Sequence, residues 1–128
     1  MKKFALVTGA SSGIGLQICH SLAKRGYNII LTSRSENKLK TISEEINSKH
    51  GVETTYFPCD LADKQGPQSI YNFCESKNYQ VDVLVNNAGY ALPDTFEKNS
   101  VEDEEDCIRV LGTSVISLTK LFVRDMIK

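Results

Sequence analysis

The run Thr8-Gly9-Ala10-Ser11-Ser12-Gly13-Ile14-Gly15 constrains this chain more than any other stretch, because of what flanks it. Phe4 to Val7, just before it, is wholly apolar and reads as a strand buried on both faces of a parallel sheet. Just after it, Ile14, Ile18, Leu22 and Ala23 recur at helical spacing, and Gly26 closes that helix. A buried strand that turns through glycines into a helix can hold a diphosphate. Gly9 permits the sharp exit from the strand. Gly13 has no side chain to block the phosphates, and Gly15 lets the helix lie close to the sheet. Free N–H groups and the positive dipole end at the helix start face the anion. The spacing is G-x-x-x-G-x-G, which differs from the common G-x-G-x-x-G fingerprint. The alternative is a tight turn with no ligand; the strand before it and the helix after it favour the cradle.

The rest of the chain continues the alternation. Asn28 to Thr32 is a second apolar strand, and Leu39, Ile42 and Ile46 mark an amphipathic helix with Gly51 just past its end. Glu53 to Phe57 reads as a third strand, stopped by Pro58. Ile70, Phe73 and Cys74 outline a third helix, and Val81 to Val85 a fourth strand. A loop containing Pro93 leads to one last helix, from about Val101 to Ile127. Its acidic start, Glu102 to Asp106, and its basic end, Arg124 and Lys128, suit the helix dipole, so the acidic run reads as a solvated helix start rather than a metal site. Strands alternating with helices predict right-handed βαβ units and an α/β fold with a parallel sheet.

Two further features bear on a ligand. An NAD-binding unit usually ends its second strand on an acidic residue that accepts hydrogen bonds from the ribose hydroxyls. Here that strand ends Leu31-Thr32-Ser33-Arg34. A carboxylate repels a 2′-phosphate, whereas an arginine binds it through two hydrogen bonds, so the expected cofactor is NADP(H) in preference to NAD(H). After the fourth strand comes Asn86-Asn87-Ala88-Gly89, at a strand's carboxyl end, where ligands bind in such sheets. Its small residues keep a crevice open, and its amides can tie the loop down.

Composition excludes several classes. The 128 residues carry a net charge of −1, so no bulk field favours nucleic acid or an anionic membrane. The first apolar run ends after four residues, too short for a signal peptide. No stretch approaches the ~20 apolar residues of a membrane span. Cys19, Cys59, Cys74 and Cys107 form no C-x-x-C pair and lie apart from His20 and His50, so they read as reduced thiols packed as small apolar groups. Reduced thiols fit a cytoplasmic protein.

Together these residues resemble the short-chain dehydrogenase/reductase family. The Thr8–Gly15 run is similar to its TGxxxGIG motif, Asn86–Gly89 to its NNAG motif, and Ser33-Arg34 to its NADP-preferring branch. Asp60, in Cys59-Asp60-Leu61-Ala62-Asp63, matches the aspartate that family members use near the adenine ring. Leu118-Thr119-Lys120-Leu121-Phe122, with Asp125-Met126, resembles the family's fourth helix. The resemblance implies cofactor contacts at Gly9, Ser11, Ser12, Gly13, Ile14, Gly15, Ser33, Arg34, Asp60, Leu61, Asn87, Ala88 and Gly89. It also implies a Rossmann-type parallel sheet in the order 3-2-1-4, truncated before the fifth strand, and so one partial domain over residues 1–128.

The family's catalytic set is Asn, Ser, Tyr and Lys, with the serine and a Y-x-x-x-K beyond the fifth strand. No tyrosine of this chain has a lysine four residues later: Tyr27, Tyr56, Tyr71, Tyr79 and Tyr90 are followed there by Leu31, Asp60, Glu75, Val83 and Asp94. A phenol with a pKa near 10 and no cation beside it is a poor base at neutral pH. The family's asparagine is replaced as well: by Leu111, in register with Leu118 and Met126, or by Arg109 if Gly112 is the family's N-x-x-G glycine. The expectation is therefore part of an NADP(H)-dependent carbonyl or alcohol oxidoreductase, with no catalytic residue of its own and no turnover as an isolated chain. The alternative is a non-catalytic nucleotide-binding or interaction module. Self-association is expected through the fourth helix or the open sheet edge.

Overall fold

The computed structural model describes residues 2–128. In chain order the elements are β1 (Lys3–Thr8), α1 (Gly13–Lys24), β2 (Asn28–Ser33), α2 (Glu36–His50), β3 (Thr54–Pro58), α3 (Gly66–Ser76) and β4 (Gln80–Val85). A single 3-10 turn at Phe96–Lys98 precedes α4 (Val101–Ile108) and α5 (Ser114–Ile127). The strands form one parallel sheet in the order β3-β2-β1-β4, as the family resemblance implies.

Alternate residues of a strand face opposite sides of a sheet, and β1 shows both sides in use. Ala5 and Val7 face one core with Ile29, Leu31, Cys19, Ala23, Leu39 and Ile46. Phe4 and Leu6 face the other with Ile30, Ile70, Cys74, Leu118 and Phe122. Every residue of β1 from Phe4 on is buried, which is why Phe4 to Val7 is apolar without alternation. β4 has one neighbour, and of its residues only Val81 is buried. Its register against β1 shifts between Phe4 and Ala5, leaving Asp82 as a bulge.

Two expectations are corrected. Ile14 is 73% exposed, because the buried stripe of α1 runs through Gly15, Cys19 and Ala23 instead. The last helix is also not continuous. Arg109–Thr113 forms a π-turn between α4 and α5, and Ser114 Oγ donates back to the Val110 carbonyl at 2.8 Å. The extra residue in that turn re-aims the helix, so α5 buries Ser114, Leu118 and Phe122 while α4 buries nothing.

Candidate cofactor cleft

Four strand ends and one helix start define the site. Gly9 follows β1 at φ +62°, a left-handed conformation that an L side chain rarely adopts. A Cβ there would lie 2.9 Å from Ala88 Cα. Gly15 is packed harder still: a Cβ would run into the Gly9 carbonyl and the Asn87 side chain. The first helix can therefore rest on the turn only because Gly15 has no side chain, which is the role expected of it.

Thr8 and Asn87 lock the two loops together. The N–H groups of Asn87 and Ala88 donate to Thr8 Oγ1 at 3.0 and 2.9 Å. The Asn87 side-chain amide donates to the Gly9 carbonyl at 3.2 Å. Asn86 does a different job, donating to Thr119 Oγ1 at 3.3 Å and so tying the loop to α5.

The cleft so formed has a volume of ≈ 720 Å³. Of the expected contact residues, Gly9, Ser11, Ser12, Ile14, Ser33, Arg34, Asp60, Leu61, Asn87, Ala88 and Gly89 line it. Gly13 and Gly15 do not. Gly15 is buried behind the turn, and Gly13, at φ +56° with open space around it, borders a shallow groove with Gln17 and Ser21. Lys38 and Tyr90 line the cleft too and were missed by sequence reasoning. The signal for Lys38 was present: a second cation four residues after Arg34. Tyr90 carried none, because nothing in a sequence tells which way a residue after a glycine points.

The arrangement fits an anionic dinucleotide. No side chain caps α1, and its first turn holds no acidic residue, so the helix start is open to a phosphate. Among the described residues Arg34 has neither an ion-pair partner nor a hydrogen bond. Thr32 Oγ1, at the end of β2, is buried without a hydrogen-bond partner. Asp60 Oδ1 accepts from the Ala62 N–H at 2.9 Å and shapes the turn after β3. Burial, and then the charges of Asp60 and Asp63, push the Cys59 thiol up to about 11, so it stays protonated at neutral pH and is a poor nucleophile. All four cysteines are free, and no cluster of metal-ligating side chains occurs among the described residues. No described helix is long and apolar enough to cross a membrane.

Beside the cleft, the π-turn brings Leu111 against the loop: a Cβ on Gly89 would lie 2.7 Å from Leu111 Cδ2. An apolar side chain therefore packs against the loop at Gly89.

Known proteins match this geometry. The family model for short chain dehydrogenases covers residues 3–128. The very-long-chain 3-oxoacyl-CoA reductase of Mycosarcoma maydis is 38% identical over 129 residues, spanning 97% of this chain and 36% of that protein. L-sorbose reductase from Gluconobacter frateurii, solved with NADPH and L-sorbose, superposes with a TM-score of 0.90 at 30% identity, over 98% of this chain and 48% of that one. An alcohol dehydrogenase from the archaeon Thermococcus sibiricus, complexed with 5-hydroxy-NADP, does so at 0.88 and 32% identity, over 98% and 54%. The chain thus spans between 36% and 54% of the length of these relatives.

Proposed function

This chain belongs to the short-chain dehydrogenase family, and from that premise we propose that it is the NADP(H)-binding part of a reductase for carbonyl compounds. The observation that carries the preference is the Arg34 guanidinium, without an ion-pair partner among the described residues, lining the cleft together with Lys38. Two cations and no acidic residue at the end of β2 favour a 2′-phosphate over a bare ribose. The two similar structures solved with NADPH and with 5-hydroxy-NADP support the same reading.

Each residue has a role on this reading. Ser11, Ser12 and the open start of α1 hold the pyrophosphate. Arg34 and Lys38 hold the 2′-phosphate, and Asp60 and Leu61 border the adenine. Asn87, Ala88 and Gly89 keep the crevice open toward the nicotinamide. Once bound, the cofactor supplies hydride chemistry to a carbonyl carbon. Neither Leu111 nor Arg109, the two residues that can stand where relatives use an asparagine, carries a side-chain amide. With no Tyr-x-x-x-Lys in these residues, the isolated chain has no general acid for the carbonyl oxygen.

Fluorescence titration with NADPH and NADH tests the preference; tighter NADH binding sinks it. The isolated chain should not oxidise NADPH with any of a panel of aldehydes and ketones, and detectable turnover would contradict the assignment of roles. The second reading, a non-catalytic nucleotide-binding module, is favoured by the missing family asparagine, replaced by Leu111 or Arg109. The coding sequence downstream separates the two: a serine and a Tyr-x-x-x-Lys in frame support the reductase. We further propose that the uncovered apolar side chains Ile108, Ile116 and Ile127 make the isolated chain self-associate. A sharp monomer in light scattering at micromolar protein would refute that.

A further inference from the structure

The geometry points to Tyr90 as the residue that sets the preference for a 2′-phosphate, by holding Arg34 over the cleft. The inference rests on the NADP(H) reading and adds a residue to it. Arg34 follows β2 and Tyr90 follows the loop after β4, with β1 lying between those strands. Those strand ends are separated by two strand spacings, about 10 Å. The two side chains nonetheless converge: the Arg34 guanidinium carbon lies 5.9 Å from the centroid of the Tyr90 ring. Both line the same cleft.

A cation over the face of a ring is attracted to it without using its N–H donors in hydrogen bonds, so the donors of the guanidinium stay free to grip a phosphate at two oxygens. An arginine at the end of a strand loses side-chain freedom when it binds, and a ring that pre-orders it removes part of that loss. Tyr90 is itself anchored. Cys107 Sγ donates to its carbonyl at 3.5 Å, and Gly89, just before it, packs against Leu111. Partial burial pushes the Tyr90 phenol up from its ordinary value, so the ring is neutral at physiological pH. Tyr90 acts through Arg34 and is a positioning residue.

The test measures NADPH and NADH affinity for the unaltered chain and for Tyr90→Leu, Tyr90→Phe, Arg34→Ala and the Arg34→Ala/Tyr90→Leu pair. Leucine keeps bulk and apolarity without a ring face, and circular dichroism checks that each variant folds. Tyr90→Leu should weaken NADPH binding roughly three- to tenfold with NADH nearly unchanged. Tyr90→Phe should restore the preference, and Tyr90→Leu should add nothing once Arg34 is gone. Equal losses for both nucleotides, no loss for either, or an undiminished effect in the Arg34→Ala background would each overturn the role of Tyr90. An unaltered chain that binds NADH as tightly as NADPH, or binds neither, overturns the NADP(H) reading and this inference with it.

Discussion

α1 and α4 begin in opposite ways. α1 starts at Gly13 with no capping side chain and no acidic residue in its first turn. α4 starts after Ser100, whose Oγ accepts from the Asp103 N–H at 3.0 Å, and its first turn carries Glu102, Asp103 and Glu104. One helix start is left electrically open and the other is closed by the chain itself. The packing beneath them is reversed. β1, from which the chain runs into α1, is buried on both faces, whereas β4 and the α4–α5 arm are half open to solvent. On the side of the glycine turn the strand beneath is wholly buried from Phe4 on, and the helix start, the Arg34 side chain and Thr32 Oγ1 are left without hydrogen-bond or ion-pair partners among the described residues. On the other side the polar groups are satisfied and apolar surface is left uncovered. A ligand of opposite character is expected at each: an anion at the first, an apolar surface at the second.

The comparison can be broken most severely at Gly15. Gly15→Val places methyl groups against the Gly9 carbonyl and the Asn87 amide, backbone and side chain that hold the turn, and should cost about 3 kcal/mol or more. Urea unfolding will show it; a midpoint within error of the unaltered chain would mean the helix does not rest on the turn. Leu118→Ala, on the α5 face that is buried, should cost about 3 kcal/mol by the same measurement. Its neighbour Ile116 is exposed, so Ile116→Ser should change stability by less than about 0.5 kcal/mol while reducing self-association.

The two helix starts predict a smaller contrast. Ser100→Ala should cost about 1 kcal/mol, and Ser12→Ala far less, because only Ser100 caps. Equal costs would remove the distinction between a closed and an open helix start.

The smallest effect lies where α1 meets α2. His20 Nδ1 and His50 Nε2 are 3.1 Å apart, so one ring must offer a lone pair to the other's N–H. Desolvation, and then the charges of His20, Lys49 and Lys24, hold His50 below its ordinary 6.5. The unfolded chain therefore takes up the proton first. Stability present above about pH 6.5 falls as the pH drops through the lower folded value. The melting temperature of the unaltered chain should drop more than that of His50→Gln between about pH 7.5 and 5.5.

Much of this was legible in the residues. Phe4 to Val7 has no polar residue because both its faces are covered, so apolarity alone identified a central parallel strand. Gly9 and Gly15 were readable as the glycines of a tight, close-packed turn because a strand precedes them and a helix follows. The register of α1 was not legible, since Ile14 and Gly15 both fit a helical stripe. The sheet can approach only the residue with no side chain, and that choice turned Ile14 outward into the cleft. The π-turn was likewise invisible, because a sequence shows apolar spacing but not the one-residue slip that lets Leu118 and Phe122 face the core after Val110.

The order of strands and helices, the open helix start and the basic end of β2 follow from local rules: burial on two faces, left-handed turns and charge. These the amino-acid sequence determined by itself. The contacts between distant segments were decided by the tertiary structure alone. Thr8 joins Asn87, Leu111 stands over Gly89, and Arg34 meets Tyr90 across β1. They depend on which strand ends the sheet sets side by side, and parallel strands are paired through crossovers that local sequence does not encode.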